Sequence, residues 1–134
     1  MSEQIIVDNQ KLYEAIFFGP STTTHTVDVS NLYDSVAIDG VDKQRMSLKI
    51  LYSVDSGGYL KVELATDASG STFAEYWRGY GNGEIYIKNT EASGNGDFKI
   101  TFDGAAGSCK ISALKTEGFT LASPYYTKVS RRTK

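Results

Sequence analysis

The stretch SLKILYSVDSGGYLKVEL, residues 47–64, decides the fold class. Met46, Leu48, Ile50, Tyr52 and Val54 fall on alternate positions, and Leu60, Val62 and Leu64 resume the alternation after Asp55, Ser56, Gly57 and Gly58. Apolar side chains at a period of two mark a strand with one buried face, and the Asp-Ser-Gly-Gly run suits a tight turn with positive φ. The spacing therefore predicts a β-hairpin. Its opposite face carries Ser47, Lys49, Ser53, Lys61 and Glu63 and reads as solvated. A two-stranded ribbon is marginal in water, so this one is expected to lean on a second sheet.

The rest of the chain repeats the theme. LYEAIFF (12–18) runs to Gly19 and Pro20, and the β-branched TTTHTVDV leads to a turn at Ser30 and Asn31. FAEYWRGY (73–80) and EIYIKN (84–89) flank a Gly81-Asn82-Gly83 turn and read as a second hairpin. FKITF (98–102) places Phe98, Ile100 and Phe102 inward, CKISALK (109–115) follows, and GFTLASPYYTKV adds one more strand before or after Pro124. Turn signals recur at roughly 8- to 14-residue intervals, the cadence of a sandwich and not of alternating βαβ units. The fold class read from this pattern is all-β: a single-domain antiparallel β-sandwich, jelly-roll-like, of about eight strands. The only helix-compatible pieces are Asn9 to Ala15 and Val41 to Gln44, both too short to insist on.

Length and composition agree. A chain of 134 residues makes one domain, long enough to bury roughly two thirds of its unfolded surface. Cys109 is the sole cysteine, so no internal disulfide forms, which fits a reducing cytosol. The start MSEQIIVDNQ has neither a basic region nor a long apolar run, and no stretch approaches a membrane span; the expectation is a protein made in the cytoplasm, without a signal peptide or membrane partner. Net charge is −2, but the tail Lys128 to Lys134 contributes four of the 14 basic residues and no acid, which leaves a mildly acidic body. Such a body argues against a dedicated nucleic-acid binder.

No catalytic constellation stands out. His25 is the sole histidine and has no Cys, Asp or Glu at metal-ligand spacing, so it reads as a strand histidine, with no metal, no cofactor and no Ser-His-Asp machinery. Asp39, Asp42, Asp55, Asp67 and Asp103 sit in turns, where Asp bonds its own backbone. GYGNGE lacks the lysine and the spacing of a phosphate loop. The enriched class is aromatic, with nine Tyr, six Phe and one Trp. Tyr76, Trp77, Tyr80 and Tyr86 crowd one expected hairpin around Arg78; strict alternation puts Trp77 in the core with Phe73, Glu75 and Gly79 on its face, and Tyr76, Arg78 and Tyr80 on the surface. Those three form a candidate interface. Ile5, Ile6 and Val7 form another, either as an arm (about residues 1–10) that adds a strand to a neighbour or as the first strand of their own sheet.

The MSEQ start, DVSNL (28–32), KILYSVDSGGYLKVEL (49–64), and GEIYIKN followed by GDFKITF together resemble small β-rich virion structural proteins of tailed bacteriophages, especially those of marine hosts, over residues 26–104. The resemblance implies a non-enzymatic capsid decoration, or cement, protein located in the virion, or a neck or tail part. Its implied partners are the major capsid protein or other virion subunits, and by analogy with threefold lattice positions it implies a homo-oligomer, a trimer above all. The resemblance assigns no functional residue. A lectin-like carbohydrate-binding module, with Tyr76, Tyr80 and Tyr86 lining a groove, is the alternative; a small hydrolase would need carboxylates or His25 to converge in a cleft.

Overall fold

The alternation of apolar residues runs through nine strands among the described residues: β1 (Ser2–Asp8), β2 (Leu12–Gly19), β3 (Thr23–Val27), β4 (Arg45–Val54), β5 (Tyr59–Ala65), β6 (Phe73–Tyr80), β7 (Asn82–Ile87), β8 (Phe98–Asp103) and β9 (Gly107–Glu117). They come from a computed structural model that describes residues 2–9, 11–33, 35, 44–88 and 94–119. The expected last strand around Pro124, the tail 128–134, Asp39, Asp42 and residues 41–43 of the helix-compatible run lie outside the described residues. The strands form a five-stranded sheet in the order β1-β2-β9-β4-β7 and a four-stranded sheet in the order β3-β8-β5-β6.

Every pairing is antiparallel, and the pairs are nested: β5 with β6, β4 with β7, β3 with β8, β2 with β9. One long antiparallel ribbon has been rolled up, which brings β9 against β4 and β8 against β5. That is a jelly roll, the sandwich expected from the sequence. The strands turn the residues expected inward onto a common core: Leu48, Ile50, Leu60, Val62, Phe98, Ile100 and Phe102 are all fully buried.

Two local expectations are overturned. Residues 47–64 do not form a hairpin, because β4 belongs to the five-stranded sheet and β5 to the four-stranded one. The Asp55–Gly58 turn, with Gly57 at φ 90°, is an arch over the edge of the core. Each strand shows its apolar face to the other across the core, so the alternation is the one a hairpin would give. The same correction applies at Gly81. There the chain leaves β6 for β7 in the other sheet, so Tyr86 and Tyr80 do not share a hairpin.

A third expectation fails at Glu75, while Tyr76 is exposed as expected. A register shift between Val62 and Glu63 pairs Val62 with Trp77 but Glu63 with Glu75, so Tyr76 is the extra residue of a β-bulge. The bulge reverses the alternation. Trp77 stays on the inner side, edge-to-face with Tyr52 at a centroid distance of 5.1 Å. Glu75, expected on its face, lies outside with Arg78. Asn9, expected at the start of a helical piece, instead turns the chain back: its side-chain carbonyl accepts from the backbone N–H of Lys11 and Leu12 at 3.0 and 2.9 Å, and β2 begins at Leu12.

Candidate functional site

The residues singled out from sequence fall at opposite edges of the sandwich. Ile5, Ile6 and Val7 lie in β1, an edge strand of the chain's own five-stranded sheet, the second of the two readings given above. Ile5 and Ile6 are 53% and 46% exposed and Val7 is half-buried. Ile6 is the extra residue of a bulge between Ile5 and Val7. Tyr76, Arg78 and Tyr80 lie in β6, the edge of the other sheet, and all three are exposed. The structure does not bring the two groups together.

At the β6 edge, the Arg78 guanidinium sits 4.3 Å from the centroid of Tyr59, whose ring lies 5.3 Å from that of Tyr80. Arg78 makes a two-pronged ion pair with Glu75, at 2.6 and 3.0 Å, which the bulge places on its own side of the strand. Hydrogen bonds from that guanidinium hold the Glu75 carboxyl below its ordinary range. Tyr59 donates to Asp103 at 3.0 Å, which pushes its phenol up. The result is a braced platform on which Tyr80 is 63% exposed. Tyr59 was not picked out from sequence; its register opposite both Tyr80 and Asp103 is what places it.

At the other edge, β1 and β3 flank a cleft of about 260 Å³. Tyr13 donates its hydroxyl to one Glu3 oxygen, and His25 Nε2 lies 3.4 Å from the other. The His25 ring rests on Phe17 at 4.9 Å between centroids. So His25, expected to have no acid nearby, has one supplied by a strand 22 positions upstream. Both Glu3 oxygens are engaged, and the arrangement fastens an edge strand of one sheet to an edge strand of the other. No group of three or more His, Cys, Asp or Glu is placed to hold a metal ion among the described residues.

Beneath this edge lies a polar lock. Lys115 follows Cys109, Ile111 and Ala113 on the inward positions of β9 and is buried. Its ammonium reaches Asp8 and the Asn9 carbonyl, both at 2.6 Å, and the Tyr33 carbonyl at 2.8 Å. Phe119 covers it at 4.9 Å. All three donors are satisfied. A lysine at an inward position was the readable signal for this site.

Burial also sets an alkaline limit on the fold. It pushes the Cys109 thiol up to about 12, and burial together with the hydrogen bond to Glu3 raises the Tyr13 phenol above its ordinary value. Both groups are held neutral in the folded state. The stability they confer is complete below their unfolded values and is lost as pH rises toward the folded ones. The urea midpoint is therefore expected to fall steadily from about pH 9 to 11, and Cys109 to resist maleimide until the chain unfolds. A flat profile with rapid native labelling would show that these groups reach solvent.

No family model matches the chain, and no curated protein matches its sequence. Among solved structures, the chain is similar to the crystal structure of a cupin domain from Bordetella pertussis Tohama I, with 6% identity and a TM-score of 0.37 over 87% of this chain and 93% of that one. At that level of likeness, the sheet pairing described above remains the basis for the fold.

Proposed function

We propose that the chain is a non-enzymatic structural subunit of a virus particle, as a capsid decoration protein or a neck or tail part, and that it holds to neighbouring subunits through the β1 edge. The observation that carries this reading is the state of that edge. Ser2–Asp8 contains no Lys, Arg or Pro, and its two acids turn inward to Tyr13, His25 and Lys115. Charge and proline are the usual protection of an open edge, and among the described residues no strand pairs with the outer side of β1, so the backbone groups flanked by Ile5 and Ile6 can pair with another chain. The bulge at Ile6 confines such pairing to the Ser2–Ile5 side. The sequence resemblance to phage virion proteins supports the same reading.

Mass spectrometry of particles purified from the encoding virus is expected to find the chain, and Ile5→Lys is expected to release it on washing. Absence from the particles would reject the reading. Deleting residues 1–7 is a poorer test because it removes a strand and strips Glu3 from Tyr13. Turnover in a hydrolase screen that disappears in His25→Ala would replace the structural reading with an enzymatic one. The braced Tyr59–Arg78–Tyr80 platform favours a second reading, a carbohydrate-binding module. Glycan binding lost in Tyr80→Ala would support it.

A further inference from the structure

The outer faces of the two sheets differ in character. On the four-stranded sheet the outward positions of β3, β8 and most of β5 are polar, Thr24, Thr26, Lys61, Glu63, Lys99 and Thr101, and the aromatic side chains Tyr59, Tyr76 and Tyr80 gather at the β6 edge. On the five-stranded sheet, Phe18, Leu51, Tyr86 and Leu114 are 45%, 44%, 63% and 52% exposed, and Ile16 is half-buried among them. The charges between them are already paired, Lys110 with Glu14 at 3.8 Å and Lys49 with Glu84 at 3.4 Å. This face sets exposed apolar side chains among charges that are paired within the chain, so it is locally neutral and gives an oppositely charged partner little to attract.

We infer that this face stacks on the same face of a second copy about a two-fold axis running along β9. β9 is the central strand, so such an axis lays β2 over the partner's β4 and β1 over its β7. The register then decides what meets what. Ile16 and Leu51 flank Lys110 in one row across the sheet, and Glu14 and Lys49 flank Ser112 in the next. Reflected across β9, Ile16 meets the second copy's Leu51 and Glu14 meets its Lys49, each contact occurring twice. Phe18 meets the second copy's Ser53, which with Asn82, Gly83 and Ser108 lines a shallow trough of about 640 Å³. Leu114 meets its own copy on the axis. Lys110 also meets its copy there, but its ammonium leans sideways to Glu14.

The area is adequate. Five strands about 4.8 Å apart and about 25 Å long present roughly 600 Å² per copy, so the pair buries about 1,200 Å², the lower bound of a standard interface. The inference rests on this geometry alone and stands whether or not the protein belongs to a virion.

Sedimentation velocity of the full chain from about 1 to 100 µM tests it. The expected result is a dimer that Leu51→Lys weakens by about 100-fold or more. Glu14→Lys and Lys49→Glu should each weaken it by about tenfold, and the double exchange should restore most of the affinity, a pattern that misfolding does not produce. A monomer throughout that range, a threefold species, or a dimer abolished by Ile6→Lys but indifferent to Leu51→Lys would overturn the inference. So would a monomer whose melting temperature falls on Leu51→Lys, because the chain's own residues 120–134 would then cover the face.

Discussion

Replacing Lys115 by Met is expected to cost about 3 to 5 kcal/mol, the largest loss from any single conservative change in stem volume. Methionine keeps the aliphatic stem but removes three donors at once. Asp8 loses its ion pair, and the carbonyls of Asn9 and Tyr33 lose their partner inside the protein. Each stranded acceptor costs about 1 to 3 kcal/mol when water cannot reach it. Lys110→Met, five residues upstream on the outer face, is the control; its half-exposed pair with Glu14 is worth less than about 1 kcal/mol. Urea denaturation of both variants decides the matter, and a Lys115→Met loss below about 1 kcal/mol would mean that solvent enters the lock and takes over its hydrogen bonds.

The second large effect is expected at Gly96, in a turn that joins three parts of the fold. The Asn95 carbonyl accepts from the Gln44 N–H at 3.1 Å, the Asp97 carbonyl from Ala65 at 2.9 Å, and the Asp97 carboxylate from Val29 at 2.9 Å. Gly96 itself adopts φ 100°, and a Cβ added there would overlap the Gln44 carbonyl oxygen with Val29 just behind it. Strain and overlap add in Gly96→Ala, so the expected loss is about 3 kcal/mol or more. Gly57→Ala separates the two causes. That residue has φ 90° but open space around it, and only the backbone term, about 1 to 2 kcal/mol, applies. Equal losses at the two positions would show that the turn yields to the methyl group.

What the sequence disclosed follows from what alternation measures. It reports which side of a strand is dry, and Ile50, Val62, Phe98 and Phe102 do point inward. It does not report which sheet a strand joins. An arch and a hairpin impose the same period on residues 47–64, and the choice between them depends on β9, a strand that reaches β4 from more than fifty residues downstream. For the same reason the alternation cannot separate Tyr86 from Tyr80, which lie in different sheets. The bulge at Tyr76 is a single-residue change of phase that no side-chain type announces. The Glu3–His25 contact arises only because β1 and β3 occupy the same edge of the sandwich, a fact of topology and not of spacing. Lys115 was legible in principle, since a charge at an inward position requires a partner, but Asp8 could be named only once β1 and β9 were known to flank β2.

The nesting of the strand pairs ranks the closures of the roll by the length of chain each must loop out. The innermost pair, β5 with β6, closes over a short connection, whereas the outermost joins Ile16 to Lys110. Each successive closure spans a longer loop and costs more chain entropy, and the later pairs gain a surface to dock on only after the earlier ones exist. On the ribosome, β2 emerges early and must wait, with Tyr13 and Phe17 uncovered, until β9 has been synthesised. During that interval β1 and β2 form an orphan ribbon with both edges open, so the period of greatest exposure to aggregation is set by the length of the roll and not by any weak strand within it.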